Sequence, residues 1–214
     1  MEEKATLAKF GQYEHMCQLR DEGLLYLNNL PYFWKTEDEE LRGDPFDGVS
    51  EVLRGSSGTV TSAGSPRKPM KVTSWVIRVY PPQAENTNIF CMCAVRPLAG
   101  SFPVDERNLR FGSHALVMTN AQEFIDRIAS QLKSKNITGK ADLVEYVDEN
   151  YKGDVGPFRK LTGFAYQSEW RLICYDGPGG PRKLRIGSIR DICTIVRNVE
   201  VNQKISEFLT MQSS

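Results

Sequence analysis

The sequence predicts a single α+β domain with a central, mainly antiparallel sheet flanked by a few helices. Predicted strands outnumber predicted helices, and neither a repeat nor a clean linker divides the 214 residues. A chain of this length can bury one substantial core. Residues 55–69 are rich in Gly, Ser and Pro. Because this stretch offers little apolar surface to offset the entropy of ordering, we expect a flexible insertion or hairpin within one domain spanning residues 1–214.

Local patterns predict each element in turn. Apolar residues at helical spacing predict a helix that begins near Tyr13 and ends at Gly23. Asn120 is suited to cap a second helix over Ala121–Lys133. The apolar run Asn88–Val95 predicts a central strand. The remaining predictions are strands over 24–27 (turned by Asn28-Asn29), 71–80, 111–118, 144–147, 164–174 and 189–196, and a helix over 202–209.

Composition and charge exclude several classes. Lys plus Arg and Asp plus Glu are both 27, so the net charge of the chain is zero and does not favour binding to a nucleic acid or to a membrane surface. The five cysteines lack the spacing of a metal set and are interpreted as reduced thiols, so no metal site is expected. The start Met1-Glu-Glu-Lys4 carries no apolar segment, and no apolar run approaches ~18 residues. We therefore expect a cytoplasmic protein with no membrane partner.

The stretch Phe164–Cys174 combines a structural pattern with chemistry. Read with a period of two, its aromatic residues share one face of a half-buried strand. Gln167, Glu169 and Arg171 then form a polar row on the other face, with neighbours roughly 7 Å apart. An amide, a carboxylate and a guanidinium on an otherwise apolar strand need water, a partner or a substrate. The row is therefore a candidate functional site.

The Gln167-Ser-Glu169 motif resembles the late-strand motif of the mono-ADP-ribosyltransferases. The resemblance implies that the fold is ADP-ribosyltransferase-like, that the substrate is NAD, and that Glu169 contacts the nicotinamide ribose while Gln167 faces the acceptor. The order of the family's elements implies a basic first-strand residue at Lys9 or His15 and a hydroxyl element at Ser74, after Thr73. By the same resemblance, the cofactor contacts are Lys9, Ser74, Tyr166 and Arg171.

From Lys9 to Ile192 the chain is also similar to uncharacterised bacterial proteins that carry Lys-Phe-Gly and Tyr-Gln-Ser-Glu-Trp-Arg. These likenesses imply a toxin or antiviral defence enzyme that modifies nucleic acid or protein, with a cognate inhibitor protein as a candidate partner. Two alternatives stay open. One is a metal-dependent nuclease that uses Asp44 or Asp47, Glu51 and the Glu169–Arg171 segment around Mg²⁺. The other is a non-catalytic sensor or interaction module in which the polar row clamps a ligand.

Overall fold

The computed structural model describes residues 6–35, 44–61, 68–95 and 104–211. Its helices are α1 (Tyr13–Glu22), α2 (Leu30–Lys35), α3 (Ala121–Ser134) and α4 (Val201–Met211). Its strands are β1 (Thr6–Gly11), β2 (Leu24–Asn29), β3 (Glu51–Gly55), β4 (Gly58–Val60), β5 (Met70–Val72), β6 (Trp75–Val79), β7 (Asn88–Val95), β8 (His114–Met118), β9 (Gly139–Leu143), β10 (Glu145–Val147), β11 (Gly153–Asp154), β12 (Arg159–Leu161), β13 (Glu169–Cys174), β14 (Arg182–Arg185) and β15 (Cys193–Arg197).

The main sheet has eight strands and is centred on β7. One path runs in the order β14-β2-β7-β1-β8-β15, and β13 pairs with the other edge of β7 and then with β9. Every pairing in this sheet is antiparallel. The prediction of a single α+β domain with a mainly antiparallel central sheet is confirmed at this level, as is the central position of Asn88–Val95.

Helices cover both faces of this sheet because β7 is apolar on both. Met92 and Ala94 belong to the larger core, into which α1 and α3 insert Leu19 and Phe124. The alternate residues Cys93 and Val95 belong to a second cluster with Val201 and Ile205 of α4. A strand buried on both faces shows a continuous apolar run rather than alternation, which explains why this strand was the easiest to predict.

Smaller sheets accompany the main sheet. Strands β11, β3 and β6 form a three-stranded sheet, and β4 pairs with β5 as a two-stranded ribbon with exposed residues. Strand β4 lies within the predicted insertion at 55–69 and β5 begins directly after it, whereas residues 62–67 lie outside the described residues. The predicted strand over 71–80 is interrupted at Thr73 and Ser74, which lie between β5 and β6.

Helix boundaries follow the predicted signals closely. Gly23 ends α1 in the left-handed conformation, at φ 60°. The side chain of Asn120 accepts a hydrogen bond from Glu123 N at the start of α3, as predicted. The predicted turn at Asn28-Asn29 is wrong, because both residues continue β2 and pair with β7. No helix in the described part of the chain is long and apolar enough to cross a membrane.

The largest correction concerns Phe164–Ser168, predicted as the first half of a strand. Residues Thr162–Gln167 form a 3₁₀ helix, and β13 begins only at Glu169. Ser168 adopts a left-handed conformation at φ 44°. Its Oγ donates to the carbonyl of Ala94, and its own carbonyl accepts from Ala94 N. These two bonds to the end of β7 stabilise the bend and turn the chain into the strand.

Candidate functional site

A fork in the main sheet creates the pocket in which the candidate residues meet. Along one edge of β7, β2 pairs with Asn88 and Ile89, whereas β1 pairs only from Cys93 to Val95. The intervening stretch, residues 90–92, has no partner strand on this edge in the described ranges. The gap leaves a pocket of about 210 Å³ between β2 and β1, here called the fork pocket.

The fork pocket combines aromatic walls with a few polar groups. Its aromatic lining residues are Phe10, Tyr26, Tyr32, Phe33, Phe90 and Phe111. Its polar lining residues are Lys9, Asn28, Asn108, Gln167 and Glu169. Ligand pockets are commonly mainly apolar with a small number of placed polar groups, at roughly 300–1,000 Å³ for drug-sized ligands. At about 210 Å³ the fork pocket is smaller than this range.

Lys9 stands at the fork because β1 diverges from β7 there. Its Nζ donates to the carbonyl of Cys91 at 2.7 Å and lies 4.7 Å from the ring centroid of Phe90. The ammonium thereby satisfies a carbonyl exposed by the gap between the strands. The alternative first-strand candidate, His15, lies exposed on α1 and does not line the pocket. Of the two basic candidates, only Lys9 shares a pocket with Gln167 and Glu169.

Glu169 is the first residue of β13 and pairs with Cys93 of β7. Its backbone N donates to the hydroxyl of Tyr146 at 2.9 Å, and its carbonyl accepts from Val144 N. The residue is 9 % exposed, so its carboxylate reaches the pocket from a nearly enclosed position. Glu169 and Gln167 both line the fork pocket, and little of the Glu169 carboxylate faces solvent.

Two buried cations hold the Glu169 carboxylate. Lys160 Nζ binds Oε1 at 2.9 Å, and Arg171 Nε binds Oε2 at 2.5 Å. Burial alone would raise the pKa of Glu169, but the charges and hydrogen bonds of Arg171 and Lys160 outweigh it and lower the pKa to about 2. The carboxylate is therefore ionised throughout the physiological pH range.

The same cations extend the site into a network, here called the charged cluster: Asp47, Lys160, Gln167, Glu169 and Arg171. Arg171 is 1 % exposed and binds both oxygens of Asp47, through Nη1 at 2.7 Å and Nη2 at 2.8 Å. Lys160 is 4 % exposed and lies 3.5 Å from Asp47 Oδ2. Two carboxylates are thus balanced by two cations, the arrangement that buried charges require.

Lys160 also determines how Gln167 is oriented. Lys160 Nζ lies 2.7 Å from Gln167 Oε1. Because an ammonium only donates, the amide oxygen must face Lys160 and the amide nitrogen must face away. Gln167 Nε2 donates to the hydroxyl of Tyr166 at 3.2 Å. Gln167 therefore leaves the strand row predicted from the sequence, yet it stays beside Glu169 through their shared cation.

Two of the predicted cofactor contacts lie elsewhere. Ser74 is exposed between β5 and β6 and does not line the fork pocket. Arg171 faces Asp47, Glu169 and the carbonyl of Pro157 inside the protein, so its role is to hold Glu169. Tyr166 contacts the site indirectly, through Gln167. Correct order along the chain was insufficient to place Ser74, because sequence order does not specify which sheet a strand joins.

Asp44 is a carboxylate near the charged cluster whose burial is poorly compensated. It is fully buried, its Oδ1 accepts from Phe46 N at 2.8 Å, and its Oδ2 has no hydrogen-bond partner among the described residues. Burial, followed by the charge of Asp47, raises the pKa of Asp44 to about 6. In the same region, burial raises the pKa of the Cys91 thiol to about 12, so this pocket residue is not a nucleophile at neutral pH.

Sequence reasoning missed Lys160 altogether and considered Asp47 only as a metal ligand. Lys160 lies between Arg159 and Leu161 on the short strand β12, without a motif around it. Its one signal was a lysine in a short stretch bounded by Phe158 and Leu161. That signal is weak, because lysine in such a strand is ordinarily solvated.

The carboxylates are not arranged as a magnesium site. Asp47 and Glu169 direct their oxygens at Arg171 and Lys160, and Glu51 lies on β3. In the described part of the chain, no group of three or more His, Cys, Asp or Glu side chains is placed to hold a metal ion.

Comparison of the chain with models of protein families, with curated proteins and with solved structures finds no significant match.

Proposed function

We propose that the protein is an NAD-dependent ADP-ribosyltransferase whose reaction takes place in the fork pocket. One observation carries the proposal: Lys9, Gln167 and Glu169, far apart in the sequence, line the same small aromatic pocket. These are three of the residues that the resemblance to mono-ADP-ribosyltransferases selects. The wider biological role, that of a toxin or defence effector with an inhibitor protein, belongs to the same proposal and rests on the resemblance alone.

The pocket chemistry suits the cleavage of a nicotinamide glycosidic bond. Aromatic walls take the planar nicotinamide ring, and the Glu169 carboxylate and Gln167 contribute polar lining groups. As the bond between ribose C1′ and the ring nitrogen breaks, its electron pair goes to the ring and positive charge develops on the sugar. A fixed carboxylate in a largely enclosed site stabilises that charge without reorganisation. The acceptor nucleophile then bonds to C1′ and releases its proton.

Lys160 and Arg171 prepare Glu169 for this role. Their bonds to separate carboxylate oxygens fix its orientation and keep it ionised despite its burial. Gln167, with its oxygen on Lys160, directs the donor end of its amide away from the cluster, where it orients an acceptor. Lys9 supplies positive charge at the fork, in position for the pyrophosphate of a dinucleotide that extends out of the pocket.

The test is release of nicotinamide from NAD by the purified protein, alone and with total RNA or cell lysate. We expect release by the wild-type chain and a loss of about 10²–10³-fold in Glu169→Gln. Lys135→Glu, an exposed change at the end of α3, serves as the control that keeps activity. No release from NAD under any of these conditions, by a folded protein, would refute the proposal.

A further inference from the structure

The mouth of the fork pocket carries aromatic residues paired with cations. Tyr26, a lining residue, is 48 % exposed. Lys183 lies directly across from it in the β2–β14 pairing, with Nζ 5.8 Å from the ring centroid. No carboxylate lies within ion-pair distance of Lys183 in the described part of the chain. Among the residues that the structure describes, the lysine charge at this wall is therefore not neutralised by a carboxylate.

The strand geometry makes this wall a continuous polar face. Leu25, Leu27 and Leu184 point into the core with at most 1 % exposure. The alternate residues, including Tyr26 and Lys183, must then lie on the opposite face. Asn28 lies on that face too and lines the pocket, so the exposed face of β2 and β14 leads directly into it.

A similar pair lies next to the lining residues Asn108 and Gln167. The guanidinium of Arg107 lies 4.0 Å from the ring centroid of Tyr166. Two lining residues hold Tyr166 there: Asn108 donates to its carbonyl at 2.8 Å, and Gln167 donates to its hydroxyl. The side chain of Arg107 is 55 % exposed, although it also pairs with Asp105. One ring–cation pair thus includes a lining residue of the pocket and the other lies next to the lining, and Tyr32, 40 % exposed, adds a further lining ring.

We infer that this mouth binds a single-stranded nucleic acid, with bases stacked on Tyr26 and Tyr32 and phosphates near Lys183 and Arg107. Exposed rings interleaved with cations match a flexible strand, because every base has a stacking face and every nucleotide carries a charge. A duplex keeps its bases stacked internally and cannot use the rings. The inference rests on the proposed function in one respect: the bound strand is the acceptor that receives ADP-ribose.

Binding is tested without NAD, by fluorescence anisotropy of labelled single-stranded RNA and DNA of about 12 nucleotides. We expect binding that weakens between about 50 and 200 mM salt. Lys183→Glu and Arg107→Glu should each weaken it and lower the salt slope by about one. Tyr26→Ala should weaken it by about 5- to 150-fold. The exposed control variant Lys135→Glu should bind as the wild type does.

Three results would overturn the inference. The first is equal affinity for a duplex of the same sequence. The second is equal binding by Lys183→Glu, Arg107→Glu and the control. The third is no oligonucleotide binding by a protein that cleaves NAD. Transfer to protein in lysate would then assign a protein acceptor. A raised KM for NAD in Lys183→Glu would then assign the exposed face of β2 and β14 to the ADP half of NAD. Oligonucleotide binding without any NAD cleavage would support the surface and refute the proposed reaction.

Discussion

Replacing Glu169 by Gln separates the structural role of this carboxylate from its chemical role. The substitution conserves shape but removes the charge that Lys160 and Arg171 share. The new amide group also faces Lys160 or Arg171 with its N–H, and neither of these cations has an atom that can accept a hydrogen bond. Removing one partner from a buried ion pair commonly costs about 3–5 kcal/mol.

The pKa of Glu169 gives a comparable magnitude. Its shift from the ordinary value of 4.5 to about 2 corresponds to about 3 kcal/mol of stability. Because the folded-state pKa is the lower one, this stability is present above about pH 4.5 and is lost as the pH falls towards 2. For a chain of this length, about 3 kcal/mol lowers the Tm by roughly 6–12 °C. The variant should also lack the wild-type loss of stability over that pH range.

Activity is then measured at a temperature where the variant stays folded, as monitored by circular dichroism. Lys160→Met is the matched comparison, because it breaks the same cluster from a position that does not line the pocket. We expect both variants to lose similar stability, and Glu169→Gln to lose far more nicotinamide release, by about 10²–10³-fold relative to wild type. Because Lys160 also positions Glu169 and Gln167, Lys160→Met should lose some activity as well. Losses as large as those of Glu169→Gln would refute a chemical role of Glu169 beyond that of the cluster that holds it. Unchanged stability in Glu169→Gln would refute the structural argument about the cluster.

Four further outcomes are expected. Asp44→Asn should stabilise the protein by up to about 3 kcal/mol at pH 7. The reason is that the pKa of Asp44 is about 6 in the folded state, so ionisation of this carboxyl costs stability as the pH rises above 3.8. The gain in the free energy of unfolding, measured by denaturant titration, should vanish below about pH 4. Gln167→Ala should reduce transfer to an acceptor more than hydrolysis of NAD, and equal losses in both assays would assign Gln167 a supporting role only. NAD at a hundredfold excess over its Kd should stabilise the protein by about 2.7 kcal/mol, and Lys9→Ala should remove this stabilisation. Mg²⁺ should give no gain in stability that EDTA reverses. A gain with Mg²⁺ alone would favour a nuclease. In the Asp44→Asn background, which lacks the neighbouring group that titrates near pH 6, the rate of nicotinamide release should be flat from about pH 5 to 8, and an acid limb near pH 6 would contradict the low pKa of Glu169.

The sequence predicted those elements whose signals are local. The cap at Asn120, the stop at Gly23 and the apolar run of β7 each depend on neighbours within a few residues. The 3₁₀ helix before β13 does not, because its end is stabilised by Ser168 binding Ala94, 74 residues earlier in the chain. Aromatic residues at alternate positions therefore mimicked a strand that the tertiary structure replaces.

The candidate site was predictable in part for the same reason. Gln167 and Glu169 carry a motif, and Lys9 was named by order along the chain. Their meeting depends on where β1 parts from β7, a property of strand register that no single segment encodes. Lys160 and Asp47 are brought to Glu169 only by the packing of β12 and of the loop before β3. Residues that act by holding a functional side chain carry no motif of their own, so sequence inspection passes over them.

The charged cluster restricts the chemistry available to Glu169. A carboxylate with a pKa of about 2 neither donates a proton nor accepts one efficiently near neutral pH. A general acid in glycosidic cleavage needs the opposite perturbation, a pKa raised towards the working pH. Leaving nicotinamide needs no such acid, because the ring nitrogen is cationic before the bond breaks and neutral afterwards. A permanently charged carboxylate, fixed by two cations, thus matches a reaction whose transition state carries positive charge on the sugar and needs no proton at the leaving group.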